Sequence, residues 1–133
     1  MEGRGKNRKN YKLLLVEDDE VNAKIILKFL QEGYDTDCVK SGTEAIDLSV
    51  QKKYDCILMD ISLRGELDGL MTTQRIRNIP GYASTPIIAV TAFAMVGDKE
   101  KFLNGGCSHY ISKPFTKQDL LLLLKNVLGE GEI

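Results

Sequence analysis

The chain has 133 residues, of which 43% are apolar and 28% charged. That balance at one domain's length excludes a disordered, collagen-like or coiled-coil chain and leaves a globular domain with its own core. The net charge of −1 hides a split, because residues 1–12 carry +4 and the remainder −5.

The basic start (Arg4, Lys6, Arg8, Lys9 and Lys12 against Glu2) reads as a solvated tail over residues 1–11. A single domain over 12–129 follows, with a short tail over 130–133. The acidic body does not suit a nucleic-acid module. Apolar runs such as Leu120–Leu124 are too short to span a bilayer, and no signal-peptide pattern opens the chain. A cytoplasmic protein without membrane insertion is the expectation. Cys38, Cys56 and Cys107 are widely spaced and give no disulfide framework. Cys107 and His109 lack the further ligands that zinc needs.

In chain order, the first β-rich run is Lys12–Val16. Ala23, Ile26, Leu27 and Leu30 then follow helical spacing, with Gly33 as the stop. A second strand is predicted over Thr36–Val39. Ser41 and Glu44 read as a capping box ahead of Ala45, Ile46 and Val50. A third strand is predicted over Asp55–Met59, then a weaker helix from Leu70 to Ile79, closed before Pro80-Gly81. Ile87–Val90 is the fourth strand. A helix from Met95 to Asn104 stops at Gly105-Gly106. His109–Ile111 is the fifth strand, and Thr116 with Asp119 caps a last helix carrying Leu120, Leu123, Leu124, Val127 and Leu128.

Leu13–Val16, Cys56–Met59 and Ile87–Val90 are apolar throughout rather than alternating. Such runs suit strands buried on both faces of a parallel sheet. The strict alternation of strand and helix predicts a doubly wound α/β sandwich, five parallel strands in the order 2-1-3-4-5, of flavodoxin-like topology.

The residues after each strand are polar. Glu17-Asp18-Asp19-Glu20 follow the first, Asp60 the third, Thr91 the fourth, and Ser112-Lys113-Pro114 the fifth. In this topology all of them converge on the carboxyl edge of the sheet. Taken singly, each has an ordinary explanation: helix N-terminal acids, a turn former, a cap, a surface lysine. Together they form an oxygen-rich acidic site that selects Mg²⁺ or Mn²⁺. An aspartate there can act as a nucleophile toward phosphorus, with a cation, a lysine and a hydroxyl balancing the phosphoryl oxygens.

These residues carry a family resemblance. Leu-Leu-Leu-Val-Glu17-Asp18-Asp19, Ile-Leu-Met-Asp60, Ala-Val-Thr91-Ala92 and Tyr110-Ile-Ser-Lys113-Pro114 resemble the receiver domain of two-component response regulators, over residues 12 to about 128. The resemblance implies that Asp60 accepts a phosphoryl group from a phosphohistidine. It implies that Asp18 ligates Mg²⁺ directly, that Glu17 acts mainly through water, and that Ser62 offers its backbone carbonyl. Asp19 matches a position that is usually not a ligand. Lys113 is expected to bind the phosphate or the free carboxylate, and Lys113-Pro114 to be cis. Thr91 and Tyr110 are the expected switch residues, reshaping the surface of the fourth helix, fifth strand and fifth helix for a partner or a phosphorylation-dependent dimer. The implied donor is a histidine kinase or a histidine phosphotransfer protein.

Two features depart from the common pattern. The segment Ile61–Gly69 is one residue longer than in many receivers and has Arg64 where proline is usual. Phe93, two residues past Thr91, is expected to hinder water attack and lengthen the phosphoryl lifetime, an expectation that Phe93→Ala tests. No output domain follows before Ile133, which leaves a stand-alone regulator and a receiver from a hybrid sensor kinase both open. The alternatives are a pseudo-receiver that acts as an interaction module without phosphorylation, a haloacid-dehalogenase-type phosphatase and a flavin binder. The phosphatase lacks its second acid, because Ser62 stands there. The flavin binder's phosphate loop is contradicted by the acids after the first strand. The chain is not expected to be a turnover enzyme.

Overall fold

The computed structural model describes residues 11–92 and 97–129. Phe93, the first residues of the predicted Met95–Asn104 helix, the basic tail to Asn10 and residues 130–133 lie outside these. Five strands, β1 (Lys12–Val16), β2 (Asp35–Val39), β3 (Cys56–Asp60), β4 (Ile87–Thr91) and β5 (His109–Ser112), alternate with five helices. The helices are α1 (Glu20–Leu30), α2 (Gly42–Gln51), α3 (Gly69–Arg77), α4 (Asp98–Asn104) and α5 (Lys117–Leu128). All strand pairings are parallel, in the order β2-β1-β3-β4-β5.

The apolar runs explain the layers. Every residue of β3 and β4 is buried, because helices cover both faces of the sheet. Leu13, Leu15, Leu58 and Ile88 pack with Ile26, Leu30, Leu120 and Leu124 of α1 and α5. Leu14, Ile57, Met59 and Ile87 point the other way, toward Ala45, Ile76 and Phe102 of α2, α3 and α4. Alternate residues of one strand thus serve different cores, the period-two rule of a pleated strand. Edge strand β2, Asp35-Thr36-Asp37-Cys38-Val39, is only partly covered: Asp35 is exposed, and Asp37 accepts from the Tyr54 hydroxyl and Lys52 Nζ.

Caps set the helix starts. Asp19 accepts hydrogen bonds from the amides of Val21 and Asn22 at the start of α1. Thr116 and Asp119 form the predicted reciprocal box on α5. At α2, Ser41 Oγ accepts from the Glu44 amide as predicted, but the Glu44 carboxylate accepts from the Lys40 amide, one residue earlier than the box requires. Asp68 caps α3 through the Met71 amide. Helix α3 ends two residues before the predicted Ile79, because Asn78 and Ile79 bond back three residues, to Arg75 and Ile76, and tighten the last turn. The described part of the fourth helix begins at Asp98, after Gly97 in a left-handed conformation (φ 98°) with no side-chain cap.

Candidate functional site

The strand order brings the polar strand ends together. β1 lies beside β3, with Val16 level with Met59. The next residues, Glu17 and Asp18 on one chain and Asp60 on the other, therefore meet at the sheet's carboxyl edge. Carboxylate oxygens of Glu17, Asp18 and Asp60 all lie within 4.8 Å of one another. β4 flanks β3 on its other side and contributes Thr91, which is buried. β5 follows, and the Lys113 amide donates to the Thr91 carbonyl at 2.7 Å. The Lys113-Pro114 bond is cis, as the resemblance implied.

The four acids after β1 have separate roles. Glu17 is 1% exposed. One of its oxygens accepts from the Asp19 amide at 3.1 Å, and the other lies 3.2 Å from Lys113 Nζ. Asp18 is paired with Arg64, Asp19 caps α1, and Glu20 reaches Lys40 on the surface. Asp60 is buried and accepts from the Ser62 amide at 2.9 Å.

The electrostatics reflect crowded anions. Burial, then the hydrogen bond with Asp60, push the Glu17 carboxyl up to about 7 despite the opposing charge of Lys113. Partial burial also works against the Asp18 anion, but the Arg64 guanidinium and amide outweigh it and hold that carboxyl below its ordinary range. The donor set is oxygen-only and carries three formal negative charges against the two positive charges of Lys113 and Arg64. A hard divalent cation fits that set.

A glycine makes the site compact. Gly69, the first residue of α3, abuts the backbone of Asp60. A Cβ there would collide with the Asp60 carbonyl oxygen and lie 2.7 Å from Ile61 Cα. The need for glycine at this position was not legible from the sequence, nor was the pairing of Lys113 with Glu17 or of Arg64 with Asp18. Tyr110 sits apart from the acids, half-buried against the α2/α3/α4 core, with Lys99 Nζ 5.8 Å from its ring centre. At the site, Ser62 donates its amide to Asp60.

A doubly wound sheet with an acidic cluster at its β1/β3 switch point and a threonine and a lysine on the next two strands defines a flavodoxin-like α/β domain whose carboxyl edge suits a hard cation. The chain belongs to the response regulator receiver domain family, whose model matches residues 13–125. It is 41% identical over 120 residues to the polar-differentiation response regulator DivK of Brucella ovis, covering 90% of this chain and 97% of the relative. The receiver domain of a sensor histidine kinase from Pseudomonas aeruginosa, solved with magnesium in its active site cleft, is 38% identical, with a TM-score of 0.83 over 90% of this chain and 98% of that one. The chemotaxis protein CheY4 of Vibrio cholerae superposes with a TM-score of 0.84 at 26% identity, over 89% and 98% of the two chains. The protein is thus a receiver domain of two-component signalling. No helix among the described residues is long and apolar enough to cross a membrane.

Proposed function

We propose that the domain is a phosphorylation-dependent switch in which Asp60 takes a phosphoryl group from a phosphohistidine of a histidine kinase or phosphotransfer protein. The observation that carries this reading is the buried Asp60 carboxylate grouped with those of Glu17 and Asp18. In the transfer, an Asp60 oxygen attacks phosphorus, the P–N bond breaks, and its electron pair leaves with the imidazole, which takes up a proton. Glu17, Asp18 and Asp60 would hold a Mg²⁺ ion, with the Ser62 carbonyl as a further ligand. When bound, such an ion supplies positive charge for the phosphoryl oxygens and the crowded carboxylates.

The chain's own residues do the rest. The Ser62 amide orients Asp60. Lys113, held beside Glu17, would pair with a phosphoryl oxygen. Thr91 turns toward the phosphoryl group, and Tyr110 follows, repacking α4, β5 and α5 for a downstream partner. Beside the acids, Asn22, Ile25, Ile26 and Phe29 of α1 line an open groove with Lys113, Pro114 and Phe115. The acceptor role makes the protein a switch rather than a turnover enzyme: Ser62 occupies the place where a haloacid-dehalogenase-type phosphatase carries a second acid. A cytoplasmic location accords with this role.

Intact-protein mass after incubation with acetyl phosphate and Mg²⁺ tests the proposal. A gain of one phosphoryl group is expected in the wild type, and none in Asp60→Asn or after chelation. No gain in folded wild type, with a kinase donor also failing, overturns it in favour of a pseudo-receiver that binds partners without phosphorylation.

A further inference from the structure

The longer loop after β3 places a cation on the acid cluster. Arg64 donates twice to the same oxygen of Asp18, through its backbone amide at 3.2 Å and its Nε at 3.1 Å. The loop builds this presentation. Leu63, immediately before, is buried and anchors the chain, and Gly65, immediately after, turns it with φ 106°. The guanidinium itself stays in water: the Arg64 side chain is 83% exposed, against 17% for Asp18. Asp18 is thus a shielded carboxylate whose counter-ion is supplied by a removable, solvent-facing side chain.

Shared acceptors decide what happens when a divalent cation arrives. An ion held by Glu17, Asp18 and Asp60 would claim carboxylate oxygens that Lys113 and Arg64 now use, and its two positive charges would oppose both side chains. One of the two resident cations then gives way. Lys113 is the more enclosed, 23% exposed and paired with the buried Glu17, so the exposed Arg64 is the one displaced. We infer that Arg64 is a positioning residue that occupies Asp18 in the metal-free domain and competes with the divalent cation for it, so that cation binding and release of this loop are one event. The inference rests on reading Glu17, Asp18 and Asp60 as the cation site.

The test is Mg²⁺ titration of the full chain at low ionic strength, followed by calorimetry, for wild type, Arg64→Ala and Arg64→Lys. Circular dichroism checks the fold of each. Arg64→Ala is expected to tighten Mg²⁺ binding about fivefold, the scale of an exposed ion pair. Arg64→Lys should fall between, because it keeps the charge and loses the Nε donor. An unchanged or weakened affinity in Arg64→Ala overturns the inference, since a residue that merely staples the loop would loosen the site when removed. Absence of Mg²⁺ binding by the wild type overturns the cation-site reading itself, and this inference with it.

Discussion

The two faces of the sheet are closed by different means. Toward α1 and α5, strand and helix side chains meet as apolar surfaces, Leu13, Leu15 and Leu58 against Ile26, Leu30, Leu120 and Leu124. Toward α2, α3 and α4, a similar strand layer is overlaid by directed bonds. The Tyr82 hydroxyl accepts from the Tyr54 amide and donates to the Lys52 carbonyl. Arg77 donates to the carbonyls of Gly106, Tyr82 and Thr85. These bonds tie the loops that enter β3, β4 and β5, at the end of the sheet opposite the acids. Above them α4 is lightly held: Phe102 is its buried residue, and no side chain caps its start. One face is therefore held mainly by contact area, with the Tyr11 hydroxyl donating to the Leu128 carbonyl at its margin. The other is fastened at its base, while α4 above it is anchored through Phe102, an arrangement that suits the proposed switch because α4 can shift without unfolding the domain.

Breaking each face should cost differently. Leu124→Ala removes a fully buried side chain from the α1/α5 face and is expected to destabilise the domain by about 3 kcal/mol. Urea denaturation measures the loss, and phosphorylation of Asp60 in the folded fraction should be unaffected. Arg77→Ala leaves three carbonyls without their donor and should cost about 2 kcal/mol. Its distinguishing mark is local. Amide exchange should quicken around Thr85 and Gly106, whereas Leu124→Ala should quicken it across α1 and α5. A uniform response in both variants would dissolve the contrast between the faces.

Much of this division was legible in the sequence. The apolar runs Leu13–Val16, Cys56–Met59 and Ile87–Val90 gave the buried strands because double burial leaves no polar alternation to mistake. The site residues were legible because strand order alone delivers strand ends to one edge, whatever their separation along the chain. What depended on side chains meeting across loops was not. Asp18 and Arg64 are 46 residues apart, and no period links them. Asp68 does not read as a cap because the helix after it, Gly-Leu-Met-Thr-Thr, has a weak apolar stripe. The ties made by Arg77 end on main-chain carbonyls, which have no residue-type signature at all.

The smallest expected effect concerns protons at the acid cluster, and it sharpens the contrast between base and site edge. The Glu17 carboxyl is raised to about 7 in the folded protein, from an ordinary value of 4.5. A raised acid binds more protons folded than unfolded, so its contribution to stability falls as pH rises from about 4.5 to about 7 and is level above that. Divalent cations bind the ionised form and work the opposite way. Thermal unfolding of the metal-free protein should therefore show a lower midpoint at pH 7.5 than at pH 5.5, relative to Glu17→Gln, in which that slope is absent. Added Mg²⁺ should raise the midpoint more at pH 7.5 than at pH 5.5. Arg77→Ala lies at the opposite end of the sheet and should shift both midpoints equally, leaving the pH slope intact. If Glu17→Gln keeps the wild-type slope, the proton resides elsewhere in the cluster, and the crowding of Glu17 against Asp60 is relieved by some other group.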